Sequence, residues 1–300
     1  MHHGNHFYGH AHVLAEYCGL DPADPPRIDG YLQHGWNVVD GLGGGTPYAP
    51  GSPIFVWSER TRRRAWSMDR PLATVIGAPF LYLLRSLARA DLRSEPDHNA
   101  AHDPEAARQA KPRADLRSEP DHNAARREGT IWYPFHGWEG QKVSGDHHRL
   151  IDEIVATEDG PITFCLYWNE FEDSRIRALY EQAGRVICHG YRGYMRMRTD
   201  ARFLHGQLAE LRRHRRVASN RLSTAILYGT AAGCAPAVYG DPMYLDREDT
   251  ATPDRIRREW PELHGVAPDP DRARSTVLAE LGDGHLASPA ELRAILGWPA

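Results

Sequence analysis

From residue 129 to residue 242, short apolar runs alternate with stretches of helical period, and this rhythm limits the fold more than any other feature of the chain. Strand-like runs occupy 130–135, 161–168, 185–189, 216–219 and 236–239, with helical patterns at 146–156, 174–183, 201–213 and 223–232 between them. Strands separated by a helix-bearing connection of about a dozen residues pair in parallel. Right-handed crossovers then place helices on both faces of the sheet. A shorter series precedes it: apolar runs at 28–33, 54–57 and 73–76, a basic helix at 59–66, and a helix opening at Pro79. The expectation is an α/β protein of two Rossmann-like lobes with parallel sheets. The first lobe reads as truncated, because the chain enters a helix at 10–17 without an opening strand.

Residues 90–101 recur unchanged as 114–125. Both copies are polar and proline-containing, without the apolar periodicity that could bury surface. Two copies are also too few for a solenoid, which needs about three stacked units. Residues 89–128 therefore read as a duplicated, flexible surface insertion between a first lobe at 1–88 and a second at 129–300. The second lobe should close on an amphipathic helix, since Ser288, Pro289 and Glu291 form an N-cap, N1 and N3 signature.

The charge balance narrows the partners. With 36 basic against 40 acidic residues the formal net charge is -4, which gives no electrostatic warrant for nucleic-acid binding. The basic runs at 60–64 and 212–216 read as solvated helix ends. Cys18, Cys165, Cys188 and Cys234 lie far apart with no CxxC spacing, as expected of free thiols in a reducing compartment. No apolar stretch approaches the roughly 18 residues of a membrane span, and the first residues lack a signal-peptide apolar region. A cytoplasmic location is expected, with peripheral attachment at the inner membrane face as its variant.

Ligands of open parallel sheets bind outside the carboxyl ends of the strands. Those ends carry His136, Gly137, Glu139 and Lys142; Asn169 and Glu170; His189, Gly190 and Arg192; Ser219, Asn220, Ser223 and Thr224; and Gly240 with Asp241. Glycine beside a polar group allows close backbone approach. The Ser219-to-Thr224 turn opens a helix whose free N–H groups favour phosphate, although the same side chains could simply cap it. Histidine titrates in the range a general base needs, which singles out His34, His136 and His189. Arg192, Lys142 and Arg221 are the cations available to a phosphate, and Glu139 and Glu170 could grip a sugar hydroxyl. Gly41 to Gly45 lacks a following helix, and Asp146 before His147-His148 reads as a cap.

The segment VASNRLSTAILYGTAAGCAPAVYGDPMY (217–244) resembles the donor-binding half of GT-B glycosyltransferases, in particular bacterial cell-surface polysaccharide enzymes of the capsule and sialyl- or Kdo-transferase type. GYLQHGW (30–36) and the stretch from 55 to 84 resemble the acceptor lobe of the same group. The resemblance implies a glycosyltransferase that needs no bound metal or other cofactor and moves a sugar from a nucleotide-sugar donor to a saccharide or glycolipid acceptor. The residues implied are His34, His136 and His189 as catalytic candidates. Gly137, Glu139, Lys142, Glu170, Gly190, Arg192, Ser219, Asn220, Ser223, Thr224 and Asp241 are implied for the donor. The alternatives are a nucleotide-sugar epimerase or pyruvyl transferase of the same fold, and a non-catalytic nucleotide- or sugar-binding protein.

Overall fold

A computed structural model describes residues 3–38, 49, 51–94, 127–137, 141–193, 199–246 and 248–299. The segment at 95–126, which holds most of the duplication, lies outside the described residues, as do Gly41 to Gly45 and Glu139.

Three parallel strands form the first sheet, in the order β1 (Tyr31–Leu32), β2 (Ile54–Val56) and β3 (Ala73–Val75). Helix α1 (His10–Tyr17) precedes β1, α2 (Glu59–Ser67) crosses from β2 to β3, and α3 (Pro79–Ser94) follows. Helix α3 continues through Ser94, into the first copy of the duplicated segment. At the other end of that segment Arg127 is buried, donating to the Ala232 carbonyl at 2.7 Å.

The second sheet has five parallel strands: β4 (Thr130–Trp132), β6 (Ile162–Cys165), β7 (Arg185–Ile187), β8 (Arg216–Ser219) and β9 (Ala235–Val238). Their spatial order is β7-β6-β4-β8-β9, a doubly wound Rossmann-like arrangement whose direction of winding reverses between β4 and β8. Side chains alternate across this sheet as the pleat requires. Ile131, Cys165, Val217 and Val238 enter one core, while Trp132, Phe164, Ala218 and Ala237 enter the other. Helices α7 (Phe203–Leu211) and α8 (Thr224–Ala231) supply the first core. Helices α4 (His147–Thr157) and α6 (Ser174–Glu181) supply the second. Both faces are thus covered by helices.

Small residues let α8 lie close to the sheet: a Cβ added at Gly229 would come within 2.6 Å of the Val217 side chain. Asp146 caps α4 by accepting from the Arg149 N–H at 3.1 Å. Beneath β4 and β8, the buried Glu158 carboxylate accepts from Thr130 Oγ1 at 2.5 Å, Tyr239 Oη at 2.7 Å and Arg216 Nε at 2.9 Å.

Shorter elements complete the chain: α5 (Trp168–Glu172), an antiparallel pair of β5 (Val143–Ser144) with β10 (Tyr244–Leu245), α9 (Thr252–Glu259), α10 (Pro270–Leu281) and α11 (Pro289–Leu296). Helix α11 has the complete capping box read from the sequence.

The two sheets share one continuous apolar core. Leu14, Trp57 and Phe80 from the first part join Leu227, Tyr228 and Leu278 from the second, and Phe80 stacks on Tyr228 at 4.2 Å. The C-terminal helices return to the first sheet: the Ala78 N–H donates to the Leu281 carbonyl at 2.8 Å, and Arg293 Nη2 to the Cys18 carbonyl at 2.5 Å. Buried Glu280 on α10 accepts from Trp36 Nε1 at 3.0 Å and Trp260 Nε1 at 2.9 Å, and pairs with Arg60 at 3.2 Å. Arg60 and Arg64 both lie over the Trp260 ring. The run at 60–64 is therefore not simply a solvated helix end, because two of its guanidinium groups face an indole and a buried carboxylate. Among the described residues no helix is long and apolar enough to cross a membrane.

Candidate functional site

The reversal of winding directs attention to the carboxyl ends of β4 and β8, where neighbouring crossovers diverge and leave room above the sheet edge. Pairing continues one residue beyond β4, with the Tyr133 N–H donating to the Ala218 carbonyl at 2.8 Å, and stops at Pro134, which has no N–H. The chain then turns, and the Phe135 N–H donates to Asn220 Oδ1 at 2.7 Å. Asn220 spends its other end on the Asp241 carbonyl, with Nδ2 donating at 2.7 Å. Asn220 thus ties the tips of β4, β8 and β9 together.

His136 follows, exposed, its ring stacked on Tyr167 with centroids 4.3 Å apart and planes at 10°. His136 Nδ1 donates to the Gly137 carbonyl at 2.9 Å, so in the neutral ring Nε2 carries the lone pair. Tyr167 stands at the end of β6 and also lies under the Arg192 guanidinium, 5.8 Å from its centroid. Arg192 comes from the loop after β7 and is buried. It donates through Nη1 to His34 Nε2 at 2.9 Å, which requires an unprotonated Nε2 there. His34, two residues past the end of β1, lies edge-on to Phe7 at 4.4 Å and Tyr8 at 5.7 Å. The carboxyl ends of the two sheets therefore meet through one cation and one imidazole, flanked by four aromatic or imidazole rings. Sequence reading passed over Phe7 and Tyr8. The only local signal was the HFYGH stretch, where Tyr8 takes a left-handed φ of 56° before Gly9.

His189 occupies a different setting. Its Nε2 lies 2.9 Å from Tyr133 Oη, and burial pushes its pKa down to about 4. A base that weak is poorly matched to proton transfer near neutral pH. Tyr133 is held well above the ordinary phenol range, first by burial and then by the nearby Cys165. This pair joins the rim through Phe203, whose ring lies 5.8 Å from His189 and 5.1 Å from Tyr8.

The turn into α8 divides its polar groups. Ser219 Oγ accepts from the Arg221 N–H at 3.2 Å, and Thr224 Oγ1 accepts from the Trp36 N–H at 2.9 Å, linking α8 to the loop after β1. Ser223 is the N-cap residue of α8, yet its hydroxyl makes no capping bond and is buried without a partner among the described residues. Arg221 does not serve as a free phosphate ligand: both Nη atoms engage Glu248, at 2.8 and 2.6 Å, and its guanidinium lies 4.0 Å over the Phe135 ring.

The remaining sequence candidates scatter. Glu170 lies on α5, and Gly190 takes a φ of 94° in the β7 loop beside Asp200. Lys142 is exposed ahead of β5, and Asp241 Oδ1 accepts from the Met243 N–H at 2.9 Å. The structure thus gathers His34, His136 and Arg192, brings Thr224 beside them through the adjacent Trp36, and leaves Lys142 and Asp241 on the outer tips.

Among the described residues no three His, Cys, Asp or Glu side chains are grouped to hold a metal ion. No protein-family model matches the sequence, and no curated protein matches it.

Proposed function

We propose that this protein is a glycosyltransferase that takes a nucleotide-activated sugar at the carboxyl rim of the five-stranded sheet, without a bound metal, and passes the sugar to a saccharide or glycolipid acceptor. The observation that carries the reading is the Arg192–His34 contact of 2.9 Å between loops of the two sheets, beside the His136–Tyr167 stack. A guanidinium presents a planar fork suited to phosphate oxygens. A stacked ring pair offers a face to a base or sugar, and an exposed imidazole with a lone pair on Nε2 can accept a proton from a hydroxyl. In the transfer, the acceptor oxygen bonds to the anomeric carbon as the bond from that carbon to the phosphate oxygen breaks. His136 takes the hydroxyl proton, and Arg192 balances the charge gathering on the phosphate of the departing nucleotide. On binding, Arg192 exchanges its bond to His34 for bonds to the ligand.

The test is a thermal-shift and turnover screen with UDP-, GDP-, CMP- and TDP-linked sugars. A ligand at 100 times its Kd stabilises by about 2.7 kcal/mol. In His136→Ala, turnover should fall by about a hundredfold or more with donor affinity nearly unchanged. Turnover of the donor without an acceptor would replace this reading with an epimerase. Binding without turnover would leave a nucleotide-sugar-binding protein, and the absence of any stabilisation would remove the site.

A further inference from the structure

At the opposite end of the five-stranded sheet, where β6 and β7 begin and α7 ends, lies a cavity of about 450 Å³. That size is within the range of small-molecule sites. Its walls carry Arg185, Arg212, Arg213, His214, Thr163 and Glu128. We propose that this cavity is a second ligand site, for a small molecule bearing a diphosphate or longer phosphate chain.

The charges favour an anion. Arg185 pairs with Glu210, but neither Arg212 nor Arg213 has a carboxylate partner among the described residues. The C-terminal end of α7 offsets part of their charge, and Glu128 stands on the cavity wall, yet positive charge remains in excess. His214 is held neutral, its pKa pushed down to about 4 by burial and then by the neighbouring Arg185 and Arg213. Like charges in a partly enclosed space oppose one another, and a bound anion reverses that opposition.

The cavity is also ordered by hydrogen bonds. Arg185 Nε donates to Thr163 Oγ1 at 3.3 Å, and the Thr163 hydroxyl donates in turn to His214 Nε2 at 3.0 Å. His214 Nδ1 completes the chain by donating to the Glu210 carbonyl at 2.9 Å. This chain fixes the plane of the Arg185 guanidinium before any ligand arrives, which lowers the ordering cost of binding. Guanidinium groups match phosphate oxygens two at a time. A concave cavity with only three arginines suits a small anion better than a polymer, which would need an extended basic surface.

The experiment is calorimetric titration with inorganic pyrophosphate, using sulfate at matched ionic strength for comparison, with the imidazole NMR signals of His214 followed in parallel. Saturable pyrophosphate binding that moves the His214 signals with the same Kd is expected. The double variant Arg212→Gln/Arg213→Gln, whose changes lie at the surface end of α7, should weaken it at least tenfold. Arg185→Gln gives a second reading of the same wall. Absence of saturable binding would overturn the proposal. So would equal affinity in the double variant, or binding that leaves His214 unmoved, since either places the anion elsewhere, the carboxyl rim included. Tighter binding of a single-stranded oligonucleotide than of pyrophosphate would replace the small anion with a polymer.

Discussion

The two rims of the five-stranded sheet treat arginine differently. At the carboxyl rim Arg221 is held by both oxygens of Glu248, and Arg192 gives a hydrogen bond to His34. At the amino rim the arginines divide. Arg216 on β8 meets the buried Glu158, while Arg185 on β7 shares its surroundings with Arg212 and Arg213 and, among the described residues, pairs only with Glu210. A sheet edge thus contains fully compensated cations that serve stability and undercompensated ones that suit a ligand. Counting arginines in the sequence cannot separate the two kinds, because the distinction rests on carboxylates that arrive from distant elements.

The widest contrast is breakable at Glu158. Glu158→Ala would leave Arg216, Thr130 and Tyr239 facing a buried gap, and removing one partner of a buried charge pair costs about 3–5 kcal/mol. The same change at Glu210, whose partner Arg185 is exposed, should cost well under half as much. Denaturant midpoints of the two variants measure this, and equal losses would erase the distinction between the two arginine settings.

Acid probes the histidines that the fold keeps neutral. Burial lowers the pKa of His10 to about 3 and of His189 to about 4, against an ordinary value of 6.5. The unfolded chain therefore binds protons at these sites before the folded chain does. The stability they support is fully present above pH 6.5 and is lost as pH falls toward 4 and then 3. His10 is completely buried, and neither ring nitrogen is hydrogen-bonded to a side chain among the described residues. Between pH 6.5 and 4.5 it alone should remove about 2 kcal/mol, with His189 adding in the same direction. Chemical denaturation at both pH values, in the parent and in His10→Gln, isolates the contribution: the variant should show the shallower decline, and parallel declines would relocate the acid sensitivity.

Next in size is the approach of α8 to β8. Gly229→Val would drive a side chain into Val217 and cost about 2 kcal/mol as an overpacked core does. An unchanged melting midpoint would mean that α8 can move away from the sheet.

These cases show what was readable in the linear chain. The parallel alternation was, because each strand of the five-stranded sheet is a short apolar run beside a helix of clear period. The run at 216–219 coincides with β8 (Arg216–Ser219). The runs at 130–135 and 161–168 overshoot, for local reasons: Pro134 ends the pairing of β4, and at Trp168 an apolar stretch turns into α5. The pairing of β5 with β10 was invisible, since two-residue strands have no period to detect. Helix α9 hides in the polar stretch TPDRIRRE, whose moment is carried by Ile256 alone among buried residues. Within the site, strand tips and hence His34, His136 and Arg192 were legible as positions. Their meeting was not, because His34 and Arg192 are separated by 158 residues and no local pattern encodes that contact. The pairing of Arg221 with Glu248 escaped for the same reason.

The smallest expected effects fall at the turn into α8, where two neighbouring hydroxyls have opposite surroundings. Thr224→Val keeps the shape but removes the acceptor for the Trp36 N–H, and an N–H left unpaired in a partly buried place costs about 1 kcal/mol or somewhat more. Ser223→Ala removes a buried hydroxyl that makes no capping bond, so folding stability should change by only a few tenths of a kcal/mol or even improve. A hydroxyl that contributes nothing to the unliganded fold, at the first turn of a helix beside the carboxyl rim, is free to serve a bound phosphate. A hydrogen bond to a charged group is worth about 1.5–3 kcal/mol. Ser223→Ala should therefore leave the melting curve in place while lowering nucleotide-sugar affinity at least tenfold, whereas Thr224→Val should lower the midpoint first. Measured together by thermal shift with and without ligand, the two variants separate a cap from a ligand contact. A stability loss in Ser223→Ala with unchanged affinity would make Ser223 an ordinary helix cap and take the α8 terminus out of the site.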